Sequence, residues 1–384
     1  MPAKRSRIIL FAAGCFNCFL SALGMMVVPA MGVDIERELN ITHASFGLAI
    51  GFFPLGVIAG YLPFLLLSGS KWVDKLIKAG LAALVAANLI AIIPSFWTIA
   101  LSRFVVGMAW ASATMAASLI TLRYFEREQN SLFCVVHASF LVGSGLGMYL
   151  TPLAGMLLGR WQMFSLLLAG LGFLLLVAAC VFPVELKSEK RFSIISTSLN
   201  CIFQKRVVLI ILLLSVYCIV ETDAAYVFSV YAQLERGLSL AQAANIVSLF
   251  LLGIVAGRLV YAFWLRWNPT IRGIAGLILA GCAFFFAAMV FKGYPALAGT
   301  MLMAGILFGP VYPLSISLAV SSTAEHKDVI VSAGNIVINI FCLAGLFAVG
   351  WIGDQLSLRF GLAAFCLLLA VLAASIGFAV RLRR

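Results

Sequence analysis

The chain has 384 residues, 64% of them hydrophobic and only 10% charged, with a mean hydropathy of +1.12 and a net charge of +12. A soluble chain is about half apolar and a quarter charged, so this composition excludes a soluble globular enzyme and points to lipid as the solvent. A charge of +12 alone would suit a nucleic-acid partner, but its placement along the chain, described next, assigns it to loops.

The N-terminal MPAKRSR runs directly into an apolar stretch with no small-residue cleavage site, which reads as a retained first helix rather than a removable signal. A membrane-crossing helix needs roughly 20 apolar residues. Twelve stretches are predicted to meet that need: 8–30, 45–68, 79–94, 96–122, 132–158, 162–183, 207–231, 240–265, 273–291, 295–320, 329–352 and 361–380. The loops between them alternate in charge. One set carries clusters such as Lys4, Arg5 and Arg7, then Lys71, Lys75 and Lys78, then Lys187, Lys190 and Arg191, and finally Arg381, Arg383 and Arg384. The other set carries only Arg37, Arg160, Arg236, Lys292 and Arg359. Excess Lys and Arg marks cytoplasmic loops, so both termini are expected inside. The expected setting is a plasma membrane, the inner membrane of a bacterium, crossed many times by a chain for which a monomer suffices. No nucleic-acid partner is expected.

Eight of the nine cysteines lie in apolar runs, among them Cys15 and Cys18 of CFNC. Buried Cys behaves as a small hydrophobe, so free thiols are predicted. No metal spacing, Ser-His-Asp arrangement or GxxxxGK[ST] phosphate loop is present. No cofactor, no metal site and no enzymatic activity are therefore expected. The longest basic loop, 184–206, spaces Phe192, Ile195, Leu199, Ile202 and Phe203 at helical intervals. That pattern fits a short amphipathic helix on the membrane surface; a disordered linker is the alternative.

The chain repeats itself. LGVIAGYL (55–62) recurs as LGIVAGRL (252–259), and ERELNI (36–41) faces ERGLSL (235–240). This predicts an all-α membrane protein of twelve helices in two six-helix bundles, 1–183 and 207–384, joined by a cytoplasmic linker at 184–206. Parallel halves of six spans are an arrangement found in secondary transporters.

A charge at the centre of a spanning helix costs about 2.5–3.5 kcal/mol on insertion scales, so the charged residues inside spans are the first candidates for function. Glu221 and Asp223 in VYCIVETDAAYVF stand two residues apart, roughly 200° around a helix, and cannot both face one cavity. Glu221 is assigned to the central cavity, binding a proton or a polar group of the substrate. Asp223 is assigned to a neighbouring helix or the outer vestibule; the alternative is that both acids are structural, paired with buried Arg or hydroxyls. Arg103 binds an anionic group, tunes a nearby acid, or forms a fixed ion pair, for instance with Asp34. Arg258 reads as a structural residue or part of an inner gate. Polar and aromatic residues near mid-span give a cavity lining of Asn17, Ser21, Trp110, Tyr217, Tyr312, Asn335 and Asn339; each such residue alone more often serves interhelical contact. His137, near the end of its span, is given no proton-relay role. Gly143, Gly147, Gly155 and Gly159 are spaced for close helix packing. Pro310 and Pro313 each remove a backbone donor and are expected to bend the tenth span.

LSRFVVGMAWASA, with Arg103 four residues before Gly107, resembles the fourth-helix motif of the major facilitator superfamily. GSGLGMYLTPLAGMLLGRWQMF resembles its fifth-helix glycine motif, with Thr151 where antiporters of the family carry Gly. The loop motif after the second helix is reduced to Asp74, Lys75 and Lys78, and its second-half copy has Tyr261 in place of Asp. Within the superfamily the second half resembles fucose-permease-type sugar transporters, with Glu221 at their seventh-helix Glu. The acidic residues such symporters use in helices one and four are absent; Asn17 and Arg103 stand in those helices. The resemblance implies secondary active transport by alternating access. The leading expectation is proton-coupled uptake of a small polar solute, a sugar or related metabolite. Proton-driven efflux of drugs or metabolites, organic-anion transport through Arg103, and a non-transporting receptor on the same fold remain open.

Overall fold

In a computed structural model, residues 4–66, 73–125, 129–181, 204–261, 263, 270–321 and 327–381 are described. Fifteen helices run through them: α1 (Lys4–Ala30), α2 (Gly32–Leu39), α3 (His43–Leu66), α4 (Val73–Ile90), α5 (Phe96–Tyr124), α6 (Gln129–Leu158), α7 (Gln162–Val181), α8 (Lys205–Tyr226), α9 (Phe228–Leu234), α10 (Leu240–Val260), α11 (Ile271–Val290), α12 (Tyr294–Phe308), α13 (Val311–Ser321), α14 (Lys327–Gln355) and α15 (Leu358–Arg381). Among the described residues, 11 segments are long and apolar enough to cross a membrane, α12 and α13 counting as one.

The third predicted span is displaced. α4 starts six residues before the predicted 79 and carries Asp74, Lys75 and Lys78 near its start, which excludes it from those 11 on composition. It ends before Pro94, which cannot continue a helix, and Ser95 and Thr98 form a capping box that starts α5. The seventh span breaks at Val227 into α8 and α9, and the tenth breaks at Gly309–Pro310 into α12 and α13. The predicted surface helix within 184–206 lies almost entirely outside the described residues. Cys15, Cys18, Cys180, Cys218, Cys282, Cys342 and Cys366 are free thiols.

Within a lipid solvent, helix association rests on close packing and interhelical hydrogen bonds, and the repeated sequence supplies the close packing in each half. A Cβ on Gly56 or Gly60 of α3 would overlap Phe104 or Ala111 of α5, and one on Gly253 or Gly257 of α10 would overlap Leu302 or Ile306 of α12. The sequence repeat is thus a repeated backbone contact. Likewise, Gly143 and Gly147 of α6 meet the α1 carbonyls of Phe19 and Leu23. The last helices of the two bundles, α7 and α15, are the least buried, as lipid-facing helices must be.

The two bundles meet along α3 with α14 and along α6 with α10. At the end opposite the termini, Gly47 of α3 abuts the Leu346 carbonyl, and Gly350 of α14 abuts the His43 carbonyl. On the other seam, the Ser248 hydroxyl of α10 donates to the Gly145 carbonyl of α6 at 2.8 Å.

Candidate functional site

The two in-span arginines are held by the same device. Proline lacks the N–H that would bond the carbonyl four residues earlier, and a buried carbonyl left without a donor destabilises the fold. Pro29 lies inside α1 and frees the Met25 carbonyl. Arg103, only 1% exposed, reaches across from α5 and donates through Nη1 to Met25 O and through Nη2 to Gly24 O, the latter at 2.8 Å. Pro313 frees the Gly309 carbonyl in the same way, and Arg258 of α10 donates to it through Nε at 3.0 Å. The Tyr217 hydroxyl donates to the neighbouring Phe308 carbonyl at 2.9 Å.

The difference between the two arginines lies in what remains. Arg103 has spent both terminal nitrogens on backbone, and its Nε is buried without a partner among the described residues. No ion pair with Asp34 forms among the described residues. Among the described residues, Arg258 has spent only Nε. Its Nη2 stands 3.9 Å from Oε1 of Glu221, whose side chain is 19% exposed against 5% for Arg258. At that separation the two attract, but the geometry is longer than a hydrogen bond.

Glu221 and Asp223 point apart, as the helix geometry requires. Asp223 is 1% exposed, and neither carboxylate oxygen has a hydrogen-bond partner among the described residues. Its neighbour Thr222 donates to Cys342 Sγ at 3.6 Å.

Around Arg258 and Glu221 stand partly exposed side chains from both bundles. The Tyr312 ring lies 6.0 Å from the Arg258 guanidinium, within cation–π range. Its hydroxyl donates to Asn335 Oδ1 at 2.5 Å, and Asn339 Nδ2 donates to Asn335 O at 2.8 Å. From the first bundle, His137 of α6 brings its ring to 5.8 Å from that of Tyr312. One turn along the same face of α6, Phe140 lies 5.4 Å from Trp110, which also meets Phe53 and Tyr61. An aromatic wall therefore crosses from one bundle to the other.

Tyr217 is fully buried one turn before Glu221 on α8. The remaining predicted residues sit elsewhere. Asn17 and Ser21 are buried within the first bundle, and their side-chain polar atoms lack partners among the described residues. Asp74 pairs with Lys78 at 2.6 Å in the first turns of α4, with Lys75 beside it. Sequence reasoning passed over His137 and kept Arg258 apart from Glu221. The signal for Arg258 was present: it occupies the repeat position held by Tyr61 in the first half, where a tyrosine already faces Trp110.

The Major Facilitator Superfamily matches the chain over residues 11–345, and the chain belongs to that family of transporters. Among solved structures, it is similar to a bacterial homolog of the human lysosomal transporter Spinster in an inward-facing, occupied conformation. The identity is 14% and the TM-score 0.74, covering 98% of this chain and 97% of that one. The unoccupied inward-facing form of that homolog aligns with 13% identity and a TM-score of 0.76, over 99% and 98%. Comparison with curated protein sequences finds no match. The likeness of the second half to fucose-permease-type transporters is not among these findings.

Proposed function

We propose that this secondary transporter takes up a small polar solute, a sugar or related metabolite, together with a proton, by alternating access between bundles 1–183 and 207–384 linked through 184–206. The proposed setting is a bacterial inner membrane, with both termini cytoplasmic and a monomer as the working unit. The observation that carries the reading is the partly exposed Glu221 carboxylate beside Arg258, with side chains of both bundles around the pair. Protonation of Glu221 cancels its attraction for Arg258, so a proton changes what the second bundle offers to a solute. Tyr312, Asn335 and Asn339 supply hydrogen-bonding groups at the same place, and Trp110 supplies an apolar face from the first bundle. Asp223, with no polar partner among the described residues, is a second proton-binding candidate.

Efflux of drugs or metabolites against protons is the second reading. It is favoured by α6, whose glycines seat it against α1 while Gly145 faces Ser248 and Leu252 of α10, a seam suited to sliding. Organic-anion transport through Arg103 has less to stand on, because both of its terminal nitrogens hold backbone carbonyls. Purified protein in liposomes tests the main reading: an imposed inward proton gradient should drive accumulation of a neutral sugar from a panel, and a protonophore should collapse it. Accumulation that ignores the gradient for every panel member would remove proton coupling.

A further inference from the structure

We infer that the site between Arg258 and Glu221 takes an organic anion with a planar apolar body, and that binding of the anion and of a proton are coupled through this pair. The inference rests on the site and the proton coupling assigned above, and replaces the neutral solute proposed there with an anion.

Three observations carry it. First, the Arg258 fork is oriented but unspent. Nε is fixed by the Gly309 carbonyl that Pro313 frees, and Nη1 and Nη2 make no hydrogen bond among the described residues. A planar guanidinium with both terminal nitrogens free matches a carboxylate, which it binds through two parallel hydrogen bonds. Second, Glu221 already occupies the approach to that fork as a competitor at 3.9 Å, too far for a full hydrogen bond. A proton on Glu221 removes the competitor, and an anion on Arg258 offsets the positive charge that faces Glu221. Each therefore favours the other, and the coupling is reciprocal by thermodynamic necessity. The proton comes from solvent and ends on the Glu221 carboxylate, so one anion and one proton enter together with no net charge. Third, the walls are aromatic: Tyr312 lies under Arg258, His137 lies against Tyr312, and Trp110 and Phe140 continue the surface. Rings prefer planar partners.

The groups around Glu221 leave one cation facing it. They are Tyr217, Cys218 and Tyr226 on its own helix, Arg258 on α10, Tyr312 on α13 and Cys342 on α14; His137 on α6 stands near Arg258. Tyrosine and cysteine at their ordinary values are neutral near pH 7, which leaves Arg258 as the cation that Glu221 sees.

The experiment uses benzoate and its neutral isostere benzamide as probes on the full chain in detergent, reading ligand-induced thermal stabilisation at about pH 5.5 and about pH 7.5. Benzoate is ionised at both. The expected result is stabilisation by benzoate and not by benzamide, with apparent affinity rising by up to roughly tenfold per unit fall in pH. Glu221→Gln should bind benzoate equally at both pH values, and Arg258→Gln should lose the benzoate effect. Equal response to benzamide and benzoate, no response to benzoate, or a pH dependence that persists in Glu221→Gln overturns the inference. If Arg258→Gln does not fold, the Glu221→Gln comparison still decides. Proton-driven accumulation of a neutral sugar that is indifferent to benzoate would overturn the anion while leaving the transport reading intact.

Discussion

Arg103 serves as the backbone donor that Pro29 cannot be: its guanidinium bonds the Met25 carbonyl four residues before that proline. A kink in α1 and a charge in α5 are thus one feature. The consequence is a non-additive pair. Arg103→Met should lower the thermal stability of the purified protein, because a buried acceptor loses its donor at about 1–3 kcal/mol. In a Pro29→Ala background the backbone N–H is restored, and the same substitution should cost less. A double-mutant cycle reads the coupling directly; equal costs in both backgrounds would separate the two residues.

The end of the molecule opposite the termini is latched by Asp354. Its two carboxylate oxygens each accept a backbone N–H from the start of α3, at His43 and Ala44, at 2.9 Å. A carboxylate at a helix N-terminus stabilises by about 1 kcal/mol at exposed sites, and here the helix belongs to the other bundle. Asp354→Asn should raise the population open at this end roughly fivefold, since about 1.4 kcal/mol is a factor of ten. Spin labels at the exposed Arg37 and Leu356 positions would report the distance distribution. An unchanged distribution would show that the glycine contacts alone hold this end shut.

Those glycine contacts set a third expectation. Gly56→Ala should strongly reduce folded yield, because its Cβ would collide with the Phe104 backbone, and overpacking displaces helices. Gly276 on α11 has nothing within 4 Å of such a Cβ, so Gly276→Ala should be neutral or mildly stabilising through helix propensity. Size-exclusion profiles of the two variants give the comparison.

The spans, the two-bundle fold and the in-span charges were legible because each is a local property: length, apolarity, charge and a short repeat. Helix breaks were legible only where proline marks them, as at Pro310; the break at Val227 carries no such mark. What the sequence could not give was partnership. Glu221 and Arg258 belong to different helices, and their approach depends on how α8 and α10 are carried past each other. His137 was passed over for a related reason, since its position along α6 says nothing about Tyr312 on the other bundle. Asn17 looked like a cavity residue by depth alone, yet depth does not tell the cavity face of α1 from the face against α4.

The most direct test of the central claim, that Glu221 couples a proton to solute movement, is transport by Glu221→Gln in liposomes with a solute that the wild-type protein accumulates. This variant should fail to accumulate solute under a proton gradient but still exchange labelled for unlabelled solute across the membrane. Undiminished proton-driven accumulation by the variant would contradict that claim.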